Sequence, residues 1–338
     1  MTQTAPASAF GSTTRAPRTD GRRRRVLRAV SVVACVPYLS LKCAWIAGSR
    51  IGIPDGSRLL DHRTTLAVAN GVTVLMDACV IVLALALTRP WGLRLPAWLL
   101  GVPVWVATGL LVPIMTGFPA QLVVRAFGGS AEPAGDGGEP FLDSWVFGVV
   151  YGGFIVQGLA LGALFALYAR DRWGDLWQGR LWDLPGAVVG GTGRRTAAVT
   201  AAVLALPPLT VHLLWACGGT AGLGEDRTAG RTGDFQVVEA QSAVFLAVAA
   251  AAGLMLAFRR GRALPVGVPL ALAWTASAAA CWALWQAVAS LVITEDAAER
   301  PTWQMDLTYA GGMTVGTLVA GLVVRFLVAR SASNRRTA

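Results

Sequence analysis

Lys42 is the only lysine among the chain's 29 Lys and Arg residues, and it stands inside a long apolar run. An ammonium can lose its proton or act as a point charge, whereas a guanidinium hardly can. Asp77 lies in the middle of a second apolar run, and His212 and Glu239 lie in or beside two others. Ionisable groups at such depth are costly, so each marks a candidate functional position. A carboxylic acid kept dry is neutral unless it is paired. Neutral, it can give its proton to an alkene or epoxide, and aromatic faces nearby can stabilise the resulting positive charge. Asp77 and Glu239 are the candidate catalytic acids. Trp45, Trp215, Trp274, Trp282 and Trp285 are the candidate aromatic lining.

Each of these residues also has a plainer role open to it. Lys42 can snorkel its ammonium to a membrane interface. Asp77 and His212 can make hydrogen bonds between helices. Glu239 can cap the start of a helix. The tryptophans can be packing groups and interface anchors.

The elements that must hold these side chains are membrane helices. The chain has 338 residues, of which 54% are hydrophobic and 14% charged. Soluble domains carry about a quarter charged residues. The apolar residues form eight blocks of a length that spans hydrocarbon. They run over 26–48, 64–88, 97–117, 145–169, 196–218, 239–258, 265–293 and 307–329. None alternates with the period of two that a membrane β-barrel strand needs. The fold class is therefore all-α, a polytopic membrane protein with eight transmembrane helices.

The formal charge of +10 does not indicate a nucleic-acid partner. Lys and Arg gather in the N-terminal tail, after the second, fourth and sixth spans, and at the C-terminal end. Acidic residues gather in the alternate loops, as with Glu132, Asp136, Glu139 and Asp143. This is the positive-inside pattern, and it places both termini in the cytoplasm of a multi-pass cell-membrane protein. Residues 1–25 read as a disordered basic cytoplasmic tail ending in Arg22–Arg25. The stretch Val32-Val33-Ala34-Cys35 loosely resembles a lipoprotein cleavage site, but the apolar run continues past it and fits a retained span. The five cysteines all fall inside spans, which gives no disulfide framework. No pair of them has zinc-site spacing, and no metal or cofactor is expected.

An internal duplication organises the spans. Pro37, Leu39, Trp45 and Gly48 match Pro207, Leu209, Trp215 and Gly218 in register, Lys42 meets His212, and Gly52 meets Gly222. With nearly the same offset Leu95-Pro96 meets Leu264-Pro265, and Trp105 meets Trp274. Gly152-Gly153 meets Gly311-Gly312 after a shorter loop. Each half holds four helices, so the halves are parallel repeats about an axis along the membrane normal. They occupy residues 26–170 and 195–330, joined by a cytoplasmic linker, 171–194, and followed by a tail, 331–338. Measured from each inner helix end at about 1.5 Å per residue, Lys42 and His212 lie at roughly 24 Å, and Asn70 and Tyr151 at about 27 Å. Glu239, Gln286 and Tyr309 follow at roughly 28–32 Å. A polar layer toward the outer leaflet is thus expected, with Asp77 deeper. Lys42, Asn70, Tyr151, His212, Gln286 and Tyr309 join the tryptophans as candidate substrate-binding residues.

The sequence contains no Walker loop, dinucleotide fingerprint, His-rich cluster or nucleophile elbow. A protonated acid, a dry cavity and aromatic walls are the requirements of a metal-independent terpenoid cyclase acting on a hydrophobic small molecule. The segment Tyr38-Leu39-Ser40-Leu41-Lys42 with Trp45, in an Arg-, Ala- and Gly-rich chain, resembles the drimentine-type membrane terpene cyclases of actinomycetes. That resemblance implies proton-initiated cyclisation of a farnesyl group and assigns no catalytic residue here. A cation at Lys42 beside such a cavity must be paired or must bind a polar substrate group. The alternative is a secondary transporter or exporter. Parallel repeats with a polar layer between them suit alternating access, with Lys42, Asp77, His212 and Glu239 as a proton relay or substrate clamp.

Overall fold

The computed structural model describes residues 18–60, 63–129, 142–184, 188, 191–224, 227–228, 232–261, 263–282 and 301–337. Among these residues the chain is helical, with no strand and one isolated β-bridge. The helices are α1 (Arg18–Val33), α2 (Val36–Ile46), α3 (Arg63–Ala86), α4 (Ala97–Ala126), α5 (Ser144–Trp173), α6 (Thr192–Ala216), α7 (Gly233–Phe258), α8 (Gly267–Ala280) and α9 (Trp303–Thr337). With α1 and α2 taken as one broken span, seven helices are long and apolar enough to cross a membrane. This is the architecture of a multi-pass membrane protein. Of the expected seventh span, α8 covers 14 residues, and residues 283–293 lie outside the described residues.

The first span breaks at Ala34–Cys35 because Pro37 has no N–H to offer the carbonyl of Val33. The backbone tightens there, and Cys35 N donates to Val32 O at 3.1 Å. Other helices outrun their apolar blocks. Thus α4 continues to Ala126, α5 to Trp173 and α9 to Thr337. Helix α7 starts at Gly233, where the Thr232 hydroxyl accepts from Phe235 N at 3.3 Å. That corrects the reading of Glu239 as a cap: it lies nearly two turns inside the helix.

In the second half, α6, α7, α8 and α9 pack in a closed ring. Leu246, Ala249, Ala273, Ala276, Val315 and Val319 fill its centre. In the first half α1 and α4 lie against α5, and α2 against α3, while α3 meets α4 over only a short stretch. Its core is built from Leu83, Leu87, Leu100, Leu111, Leu161 and Leu164. The halves join through α4, which lies against α7 and α8. Gly109 permits this approach, because a Cβ there would stand 2.5 Å from the carbonyl oxygen of Ala278. Trp105 Nε1 donates to Ser277 Oγ at 3.1 Å, and Trp274 stacks on Phe165 with centroids 5.7 Å apart. At the far end Arg125 Nε donates to Asp234 Oδ1 at 3.0 Å.

Both described chain ends lie on one face with the linker. Arg24 pairs with Asp171, and Asn334 Nδ2 donates to Asp175 Oδ2 at 3.1 Å. The linker is bound to the second half: Leu181 N donates to Leu264 O at 3.2 Å, and Val266 N to Gly179 O at 3.1 Å. Leu181, Leu184 and Val188 are buried in the second-half core.

Candidate functional site: two buried acid–base pairs

The face shared by Tyr38, Lys42 and Trp45 follows from their spacing on one helical stripe. Helix α2 turns Tyr38 and Lys42 toward α3. Lys42 Nζ donates to Asp77 Oδ2 at 3.1 Å, and the Tyr38 hydroxyl donates to Asp77 Oδ1 at 3.0 Å. Both carboxylate oxygens are thereby occupied. The Tyr38 oxygen also lies 2.8 Å from the side-chain amide of Gln157 on α5. A phenol has one hydrogen, so with that hydrogen on Asp77 the amide's N–H end is the complementary partner. Tyr38, Lys42, Asp77 and Gln157 are all buried.

The ammonium also faces two rings, 4.8 Å from the Tyr38 centroid and 5.6 Å from that of Phe154. Lys42 is 7% exposed, so it does not snorkel to an interface. Helical Cα–Cβ bonds tilt toward the helix N-terminus, which carries its amine deeper rather than outward. A lone ammonium in this setting would be strongly penalised; the carboxylate and the ring faces supply what water would.

The second half holds a different pair at a matching place. His212 on α6 lies with Nδ1 2.5 Å from Glu239 Oε2 on α7. Both residues are buried. Trp215, fully buried, meets the imidazole edge-on at 5.8 Å, and the Tyr309 ring on α9 lies 6.3 Å away. Glu239 Oε1 has no hydrogen-bond partner among the described residues. The two carboxylates therefore differ: Asp77 has both oxygens engaged, and Glu239 has one.

The remaining candidates separate from these pairs. Asn70 is buried but donates to Leu66 O of its own helix at 2.9 Å. Tyr151 packs between Phe118 and Phe147, with centroids at 4.7 and 6.0 Å. Trp274 lies at the junction of the halves, and Trp282 is half-buried just beyond α8. Trp285 and Gln286 lie outside the described residues. Among the described residues no hydrogen bond or ion pair links the Asp77 group to the Glu239 group. Sequence reasoning missed Gln157 and Phe154. A glutamine in the middle of an apolar span was the available signal for the first; an apolar ring gave none. It also missed the Arg125–Asp234 pair, in which Asp234 is 3% exposed.

The residues that aligned in sequence take equivalent local geometry. Trp45 Nε1 donates to Ile51 O at 2.7 Å, and Trp215 Nε1 to Ala221 O at 2.9 Å. Gly48 and Gly218 end their helices at φ of +90° and +96°, and Gly52 and Gly222 follow at +73° and +83°. These left-handed conformations favour glycine. The carbonyl of Gly52 accepts from Asp143 N at 3.0 Å, and that of Gly222 from the Thr302 hydroxyl at 2.5 Å. Gly153 lets α5 approach Tyr38, whereas in the second half it is Gly311, the partner of Gly152, that faces Pro208, a shift of one residue from the sequence register. No protein-family model, curated protein or solved structure matches the chain.

Proposed function

We propose that the chain is an intramembrane cyclase-like enzyme that isomerises a prenylated hydrophobic substrate, with Glu239 as its acid. The observation that carries this reading is the unequal engagement of the two carboxylates. Asp77 accepts on both oxygens, from Tyr38 and Lys42, so neither is free of a donor. Glu239 is held through Oε2 by His212 and keeps Oε1 for a proton. When that proton goes to an alkene carbon, a hydrogen bond from the imidazole stabilises the carboxylate left behind. The Trp215 and Tyr309 rings beside His212 supply aromatic surface of the kind that steadies a carbocation. The Lys42 charge, awkward for such chemistry, is neutralised by Asp77.

The same reading includes eight spans in two parallel four-helix repeats with both termini in the cytoplasm. The paired tryptophan, glycine and Asp143/Thr302 contacts support the repeat. The common face of the chain ends and linker supports an even number of crossings. The test is to incubate membranes containing the protein with prenylated substrates. A product of unchanged mass and new retention that forms with wild type and not with Glu239→Gln supports the assignment. Well-expressed protein that yields no isomer from any farnesylated substrate overturns it.

A second reading, a proton-linked transporter, is favoured by one observation: each half carries its own buried acid–base pair. Substrate flux in proteoliposomes that responds to pH in wild type, and loses that response in both Lys42→Ala and His212→Ala, would establish it instead.

A further inference from the structure

We propose that α1 carries a binding site for an anionic glycerophospholipid, with the phosphate held by Arg22 and Arg23 and an acyl chain laid along Val26, Val30 and Val33. The site is independent of the acid–base pairs and of any enzymatic reading.

The arginines of α1 divide by what they bind. Arg24 pairs with Asp171 and donates to Leu167 O at 3.3 Å. Arg28 Nη1 donates to Thr88 Oγ1 at 3.4 Å, and Arg25 Nε to Gly21 O at 3.3 Å. Arg22 and Arg23 make no hydrogen bond or ion pair with the protein among the described residues, and both are exposed. Both guanidinium groups stand at the edge of an apolar span, and among the described residues no carboxylate pairs with either.

A second observation points to what does pair with them. Arg22 and Arg23 border a shallow, open surface patch together with Val26 and Leu27. Leu27 turns inward onto the first-half core, while Val26, Val30 and Val33 are 53%, 38% and 64% exposed. Positions 22, 26, 30 and 33 recur at helical spacing and so share one face. Side chains on a helix lean toward its N-terminus, which carries both guanidinium groups beyond the apolar stripe to headgroup level. The result is a charged head above an apolar track on a single helix face. Guanidinium forks match the oxygens of a phosphodiester in pairs. Net negative charge is needed to offset the two arginines, so phosphatidylglycerol fits and phosphatidylcholine does not.

The test uses the purified full chain in a neutral detergent, with native mass spectrometry after addition of phosphatidylglycerol or phosphatidylcholine of identical acyl chains. Wild type should retain phosphatidylglycerol with roughly tenfold preference or more, the scale two arginines give near a charged surface. Arg22→Gln/Arg23→Gln should abolish the preference without changing the lipid-free melting temperature. Arg50→Gln, at an exposed residue on a different helix connection, should keep it. Val26→Ser/Val30→Ser should weaken retention of both lipids. Equal retention of the two lipids by wild type, or an unchanged preference in the double glutamine variant, overturns the proposal. So does displacement of the lipid by millimolar inorganic phosphate, which would show that the acyl track contributes nothing.

Discussion

Trp45 and Trp215 perform one task in two places: each indole N–H closes the turn that follows its helix by donating to a backbone carbonyl six residues on. Losing such a donor leaves a carbonyl unsatisfied, at about 1–3 kcal/mol where water cannot reach it. Trp215 is fully buried and Trp45 is not. Trp215→Phe should therefore lower the melting temperature in detergent more than Trp45→Phe. Equal losses would mean that both carbonyls are equally dry.

The Lys42–Asp77 pair should behave as a buried ion pair. Breaking it from one side strands a charge and costs about 3–5 kcal/mol. Lys42→Met and Asp77→Leu should each be strongly destabilising, and the double variant less so than either single change. Denaturant titration of the four proteins in micelles measures the coupling. Additive losses would show that the two charges do not depend on each other.

At the second pair the prediction concerns turnover. Removing a general acid costs about 10²–10⁴-fold in rate. Glu239→Gln should lose isomerisation on that scale with its fold intact. His212→Phe should lose part of it. Asp77→Asn strands the Lys42 charge, so it should lower the melting temperature, which Glu239→Gln should not. A Glu239→Gln protein with wild-type turnover would remove Glu239 from the role of acid.

The join between the halves offers a steric test. A Cβ at Gly109 would meet the Ala278 carbonyl oxygen at 2.5 Å, while one at Gly101 on the same helix meets nothing within 4 Å. Gly109→Ala should destabilise by about 1–3 kcal/mol, as overpacking does. Gly101→Ala should be neutral or stabilising by up to about 1 kcal/mol, through helix propensity alone. Thermal unfolding of the two variants side by side reads the difference.

The apolar blocks located the helices because hydrocarbon demands a minimum apolar length. They did not locate the ends. Arg125, Arg172 and Asn334 continue their helices as polar residues, and hydropathy is blind to that. The Pro–Leu–Trp–Gly register brought Lys42 onto His212, but not the choice of partner acid. With the offset that brings Leu95 onto Leu264, Glu239 falls on Asn70 and the core residue Leu246 falls on Asp77. The two acids thus stand at different positions in that register, and the bases that reach them differ in length. A lysine amine reaches inward by several ångströms and needs a deep carboxylate, while the shorter imidazole needs one nearly level with it. Spacing along one helix does not contain that reach across two.

The attachment of residues 174–184 has a consequence for how the molecule divides. Asp175 and Gln178 are held by Asn334 and Arg330 of α9, and Leu181 and Leu184 are sealed under the second four helices. The seam therefore lies just ahead of Gly174, not midway along the connecting segment. Two polypeptides separated there would each keep their own interior covered. Co-expressed, they should reassemble through α4, whereas a cut after Leu184 would strip the lid from one of them.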